Sequence, residues 1–571
     1  MLNTARLAAM TVPLTSRGSL VLLWRTVLLL GLATSSLALD NGVGTTPAMG
    51  WNPYNAFLCD TTEAQYKVAA QQLINLGLRD VGYDYLNLDC GWQGRQRNAS
   101  GQFTWDSTII PNGIPALGEY VHGLGLKFGL YSDGGYFGCD FVGGTAKYLG
   151  SLHHEVEDAA LFAAWGADYL KYDNCYAVSE TDFVNYFPPI PIKPHMTAMR
   201  DALALTKRPV LFSVCNWGVQ DPARWPGTEV GNSWRTSNDI GPPVSWNSII
   251  RIINQVVPIT QFSEPGGFND MDMLEVGNAR LTAAEQQTHF ALWAAAKSPL
   301  LISTDLTNPS AQTLNILKNT RLIAVNQDPL GKSVSFKRRY TNDHDVWSGP
   351  LADGSTVVVV INWQNSARSL TFNLADIGFS SATAVDLITG ASLGRISASY
   401  TSTVAAHGSV VLKLSSGAPA LAPTFTFYAA SSASNTLAGG ANARAVNAST
   451  GASPTTSPIT VVGFVGNGGT LTFNGIDGGV SGGTKLLAFD YINGDYTFSN
   501  TACPNCRNTF VSVNGGAAVQ VQMPISGQSW DILFSGYLVS LSGFTPGRTN
   551  TVQISNPSAW APDFYRLGVA I

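Results

Sequence analysis

The sequence predicts a multidomain protein: a (β/α)8 TIM barrel, then a small antiparallel β domain, then an all-β sandwich module. Three observations carry this. Between residues 40 and 330, short apolar strand segments alternate with helical stretches. Near residue 331 the helices stop. Beyond Pro423, 148 residues hold only ten charged side chains, with many Gly and Asn-Gly turns and no helical periodicity. At 571 residues the chain is also too long for one domain.

Taken in order, residues 1–38 read as a secretory signal. Arg6, Arg17 and Arg25 precede the apolar run Val27-Leu28-Leu29-Leu30-Gly31-Leu32, and Ser36-Leu37-Ala38 offers small residues for cleavage. That run is too short to cross a bilayer. The barrel is expected over 39–330, with strands Tyr85–Asp89, Lys127–Ser132, Tyr169–Asp173, Val210–Val214 and Leu300–Ser303. Its helices are expected over Glu63–Leu76, Glu155–Trp165 and Ala283–Ala296. Repeated strand–helix units imply a parallel sheet, and about eight of them imply closure into a barrel. A doubly wound sheet is the alternative, but no Gly-rich phosphate loop follows the first strand. From 331 to 414, Thr356–Trp363 and Ser409–Leu414 with the Asp353-Gly354 turn predict an antiparallel sandwich domain. Ser415–Pro423 reads as a linker, and 424–571 as the sandwich module.

A net charge of −5 without a basic patch gives no reason to expect nucleic acid or an anionic membrane as partner. Seven cysteines behind a signal peptide imply disulfides, with one thiol left over. The sequons at Asn98 and Asn447 are glycan acceptors in a secreted, extracellular protein.

Asp89, Tyr131, Asp133, Lys171, Asp173, Asn216, Trp217, Arg235, Asp239, Asp270 and Asp272 fall at the C-terminal ends of barrel strands, where barrel active sites form. One Asp after a strand is ordinarily a helix cap or a turn. Asp173 is different, because Lys171 shares its strand face. Asp173 and Asp239 follow strands four and six, so they can converge as the carboxylate pair that glycoside hydrolysis needs.

Five motifs then occur in order: Met49-Gly50-Trp51-Asn52, Leu86-Asn87-Leu88-Asp89-Cys90-Gly91-Trp92, Lys171-Tyr172-Asp173-Asn174-Cys175, Trp234-Arg235-Thr236-Ser237-Asn238-Asp239-Ile240 and Gly266-Gly267-Phe268-Asn269-Asp270-Met271-Asp272-Met273-Leu274. Over residues 40–415 the chain resembles the α-galactosidases of glycoside hydrolase family 27. The resemblance implies a retaining α-galactosidase that needs no cofactor for catalysis, with Asp173 as nucleophile and Asp239 as acid/base. It implies sugar contacts from Asp89, Lys171, Arg235 and Asp272. Tyr131 and Trp51 or Tyr54 would form apolar walls, while Asn216 and Trp217 frame the 2-position. It also implies the disulfides Cys59–Cys90 and Cys139–Cys175. Cys503 and Cys506 are spaced to close a tight loop, and Cys215 remains as a buried thiol.

Two departures bear on the sugar. Many relatives carry two adjacent Asp where this chain has Asp89-Cys90, which leaves a β-L-arabinopyranosidase as an alternative. Many carry Glu at Asn216, and Asn216-Trp217 does not resemble the small-residue loop of an α-N-acetylgalactosaminidase. A non-catalytic carbohydrate-binding protein is the reading from another class. The expected substrates are galacto-oligosaccharides and galactomannan-type plant cell-wall polysaccharide.

Residues 424–571 resemble family-35 carbohydrate-binding modules through Phe489–Asn493, Val511–Gly515, Met523–Trp530 and Ala561–Asp563. That resemblance implies a structural Ca2+ in the module and a ligand loop at Trp560 and Asp563. An appended binding module also leads to the expectation that its removal spares turnover of a small glycoside and reduces that of galactomannan.

Overall fold

The computed structural model describes residues 40–139, 147–225, 230–341, 343–450, 453–454, 457–498 and 506–570. The signal segment 1–38 and Cys503 lie outside them.

Eight parallel strands form the barrel: β1 (Met49–Trp51), β2 (Tyr85–Asn87), β3 (Lys127–Asp133), β4 (Tyr169–Asp173), β5 (Leu211–Val214), β6 (Ser233–Arg235), β7 (Phe268–Asp270) and β8 (Leu300–Ile302). Their order is β7-β6-β5-β4-β3-β2-β1-β8. The ring closes just past β7, where Leu274 pairs in parallel with Ile302 and its N–H donates to Leu301 O at 2.7 Å. Helices cover the outside, so nearly every strand position is buried. Their starts follow local chemistry. Thr62 and Gln65 form a capping box for helix Glu63–Asn75, and Thr282 and Glu285 do the same for Ala283–Ala295.

The next domain is one continuous antiparallel sheet of eight strands, running from Ser335–Tyr340 to Ser409–Pro419. Alternation explains the unbroken apolar run over Thr356–Asn362. Val358 and Val360 enter the domain's own core with Phe372 and Leu412, whereas Val357, Val359 and Ile361 join the barrel's core. The predicted linker is partly wrong. Its first half belongs to strand Ser409–Pro419, which pairs with Phe379–Asp386 as far as Phe379–Pro419. Small, exposed residues such as Ser415 and Ser416 extend a bulged strand without burying a side chain, so hydropathy gave no sign of it.

The C-terminal module is a sandwich of two sheets whose inner faces share one core, including Phe473, Phe489, Val511, Tyr537 and Phe564. It is docked on the other two domains rather than tethered. Phe336 stacks on Tyr537 with centroids 6.1 Å apart, and Arg338 Nη2 donates to Ser540 Oγ at 2.7 Å. Among the described residues no three carboxylate, His or Cys donors gather in the module. Four of its carboxylates are each engaged by an arginine: Asp477 by Arg548, Asp490 by Arg566, Asp495 by Arg507 and Asp563 by Arg444.

Candidate active site

A cavity opens at the C-terminal mouth of the barrel. Eight of the residues singled out from sequence line it: Tyr54, Asp89, Lys171, Asp173, Trp217, Arg235, Asp239 and Asp272.

β4 explains the centre. Lys171 and Asp173 are two residues apart on one strand, so both project into the mouth. Lys171 Nζ lies 2.7 Å from Asp89 Oδ2, an oxygen that also accepts from Asn52 Nδ2 at 2.7 Å. The ammonium sits 5.5 Å from the ring centroids of both Tyr54 and Tyr131. It is therefore held by a buried carboxylate and two aromatic faces. Asp173 is buried, with Oδ1 accepting from Asn174 N at 3.1 Å. Burial pushes its carboxyl above the usual carboxylate range; Lys171 opposes that rise and Asp239 adds to it.

Asp239 follows β6 by four residues and stands at the rim, its side chain 39% exposed. Its Oδ1 accepts from Arg235 Nη2 at 2.9 Å, and the same nitrogen donates to Asp272 Oδ2 at 2.8 Å. Asp272 Oδ2 takes a further bond from Ile240 N at 2.7 Å, which ties the loop after β6 to the loop after β7. Burial raises the Asp272 carboxyl while Arg235 pulls it down. Asp272 and Trp217 both hold positive φ, at 78° and 57°, conformations that non-glycine residues seldom keep without surrounding support. Trp293 supplies part of that support, donating from Nε1 to Asp272 O at 2.7 Å. The two carboxylates thus sit in contrasting settings, Asp173 enclosed beside a cation and Asp239 at the opening.

Cys139 and Cys175 are bonded, as are Cys59 and Cys90, and Cys215 is a free buried thiol. Burial pushes the Cys215 thiol up, and Arg235 Nη1 approaches its sulfur at 3.5 Å. Cys506 is disulfide-bonded. Cys139 and Cys175 line the cavity, and Asp133 anchors the second of them by accepting from Cys175 N at 3.0 Å. Asp270, at the end of β7, accepts from Asp272 N at 2.8 Å instead of facing the cavity.

Three expected contacts are corrected. Trp51 is fully buried in the barrel core against Phe57 and Tyr66, with Nε1 donating to Thr304 O, so of these two aromatics Tyr54 is the one that lines the cavity. Tyr131 is fully buried behind Lys171, beside the Cys59–Cys90 disulfide, and its hydroxyl accepts from Cys139 N at 2.9 Å. Asn216 turns its amide to Val219 O at 2.7 Å and leaves the cavity to Trp217. The cavity also uses Tyr186, Val184 and Asn238, to which sequence reasoning gave no role. Asn238 sits inside a quoted motif, next to Asp239. Tyr186 lies in an irregular loop with no periodic signal.

Replacing Lys171 by Met is expected to move the acidic limb of the kcat/KM profile to higher pH, because Asp173 loses the cation that offsets its burial. The change also leaves Asp89 buried and unpaired, at a cost of about 3–5 kcal/mol. A lower Tm is therefore expected too, and the shifted limb is the diagnostic result.

Comparison with known proteins agrees with this geometry. Residues 46–328 match the family described as Alpha galactosidase A, and residues 341–414 match the Alpha galactosidase C-terminal beta sandwich domain. A probable alpha-galactosidase D of Aspergillus fumigatus is 37% identical, over 90% of this chain and 93% of its own length. Among solved structures, alpha-galactosidase I from Mortierella vinacea is 36% identical with a TM-score of 0.62, over 67% of this chain and 100% of its own. An alpha-galactosidase from Saccharomyces cerevisiae, solved with raffinose, is 31% identical with a TM-score of 0.59, over 66% of this chain and 99% of its own.

Proposed function

We propose, for a chain that belongs to the glycoside hydrolase family 27 α-galactosidases, that Asp173 and Asp239 remove terminal non-reducing α-D-galactosyl residues by double displacement. The observation that carries this is the pair of carboxylates facing one cavity from strand four and the loop after strand six, one enclosed beside Lys171 and one at the rim. Ionised Asp173 attacks C1 while Asp239 gives its proton to the departing glycosidic oxygen. The galactosyl–Asp173 ester then breaks as Asp239 takes a proton from water, which adds to C1. Two inversions leave the configuration retained. The Lys171–Asp89 pair and Arg235–Asp272 present charged donors and acceptors to the sugar hydroxyls, so a substrate that leaves them unpaired is strongly disfavoured.

A panel of p-nitrophenyl α-D-galactopyranoside, β-L-arabinopyranoside and N-acetyl-α-galactosaminide tests the sugar. Preference for the galactoside supports this reading. Preference for the arabinoside would favour the pentose alternative, for which there is one specific observation: Cys90 is bonded to Cys59 and brings no second carboxylate beside Asp89.

The same proposal extends to raffinose-type oligosaccharides, the ligand class in the Saccharomyces structure, and to galactomannan. Polymer binding is assigned to a cleft in the C-terminal module lined by Phe464, Trp530 and Trp560, with Arg507 4.6 Å over the Trp530 ring. Exposed Phe464 and Trp560 offer faces on which sugar rings can stack. Replacing Trp560 by Ala is expected to weaken retention on galactomannan about tenfold while leaving p-nitrophenyl galactoside turnover unchanged, as affinity electrophoresis beside a kinetic assay would read. The protein is placed outside the cell, a reading supported by two disulfides and by sequons at exposed Asn98 and Asn447. Recovery of the mature chain in culture medium, beginning near residue 39 and carrying glycans, tests that placement.

A further inference from the structure

The C-terminal module reaches the catalytic mouth through Tyr496, Thr497 and Phe498. The Phe498 ring stacks on Tyr186, with centroids 4.4 Å apart and planes 18° from parallel. Tyr186 in turn packs edge-on against Trp217 at 5.7 Å, and both of these line the cavity. Tyr496 Oη donates to Thr236 O at 3.1 Å, and Thr497 O accepts from Gln255 Nε2 at 2.7 Å. Phe498 O accepts from Arg251 Nη1 at 3.0 Å. The same guanidinium, fully buried, donates through Nη2 to Asn238 O at 2.7 Å and Asp239 O at 2.8 Å. One arginine therefore ties the carbonyls beside the rim carboxylate to a carbonyl of the module. Gly218, at φ +80°, fits into the same junction. A Cβ there would stand 2.6 Å from Thr236 O and 2.9 Å from Tyr496 Oη, and its own carbonyl accepts from Gln528 Nε2 at 2.6 Å.

We infer that Tyr496–Phe498 is a positioning element of the active site, holding the loop that carries Asp239 and backing the cavity wall on the leaving-group side. This rests on the reading of Asp239 as acid/base. It replaces the expectation that the module can be removed without cost to small glycosides. A polar network that fixes a proton donor acts where a displacement of about 1 Å costs up to 10²-fold in rate.

The test compares kcat/KM in the full-length chain on phenyl and 2,4-dinitrophenyl α-D-galactopyranosides. Phenolate needs the proton from Asp239 to depart, whereas dinitrophenolate leaves without one. Replacing Phe498 by Ala is expected to lower kcat/KM about tenfold on the phenyl glycoside and less than about twofold on the dinitrophenyl glycoside. Phe498→Tyr, which keeps the stack, is expected to restore most of the loss. Tyr496→Phe removes a single hydroxyl, so it can fold where Phe498→Ala does not, and it is expected to show the same split at smaller size. Equal losses on both substrates, or none, would overturn the inference. Asp239→Ala is measured beside them. If it is steeply selective for the phenyl glycoside and the Phe498 and Tyr496 variants are not, the positioning role alone fails. If Asp239→Ala shows no selectivity, the acid/base reading fails and this inference goes with it.

Discussion

Replacing Asp173 by Asn is expected to lower kcat on p-nitrophenyl α-D-galactopyranoside by about 10⁴-fold or more, because an amide cannot form the glycosyl ester and covalent catalysis is lost outright. The same variant is expected to fold at least as well as the parent at pH 7. Asp173 is raised above the ordinary carboxylate range by burial. A carboxyl whose folded pKa exceeds its unfolded value costs stability as pH rises from the unfolded value through the folded one, and the full cost persists above that. An amide has no such cost. The Tm of Asp173→Asn is therefore expected to match or exceed the parent at neutral pH, with the difference closing in acid. An inactive variant with a depressed Tm at pH 7 would point to misfolding instead of lost chemistry.

Replacing Asp239 by Ala is expected to cost about 10²–10⁴-fold in kcat/KM on substrates with poor leaving groups, the range that a positioned proton donor supplies. Azide needs no general base. It is expected to restore turnover of an activated galactoside by this variant and to give the α-galactosyl azide, since attack on the Asp173 ester comes from the face opposite that bond. In Asp173→Ala the azide would occupy the space of the lost nucleophile and give the β-azide. Opposite products from the two variants would assign the two roles; the same product from both would contradict them.

Much of the barrel was legible because its strands and helices recur at regular spacing, and because the site residues cluster in motifs at strand ends. Lys171 and Asp173 were legible together from strand alternation alone. Trp51, Tyr131 and Asn216 were misplaced for one reason: sequence tells that a side chain is near a strand end but not its depth. Trp51 packs into the core behind β1, Tyr131 lies under Lys171, and Asn216 caps its own loop. Tyr186 was invisible because an irregular loop carries it. The docking of Phe498 and Tyr496 could not be read at all. It joins segments about 250 residues apart through backbone carbonyls, which every residue possesses. Low charge and many glycines made the module look like a free appendage, yet its Tyr496 hydroxyl and Gln528 amide close on the barrel at Gly218, where the glycine leaves room for them.

The central claim is a covalent galactosyl ester on Asp173. Incubating the protein with an activated galactosyl fluoride bearing a second fluorine at C5, which slows hydrolysis of the ester more than its formation, and then mapping peptides by mass spectrometry tests it most directly. The account predicts one sugar equivalent per chain, on the peptide that contains Lys171-Tyr172-Asp173. A label on any other carboxylate, or turnover without an adduct and with β-galactose as the first product, would contradict it.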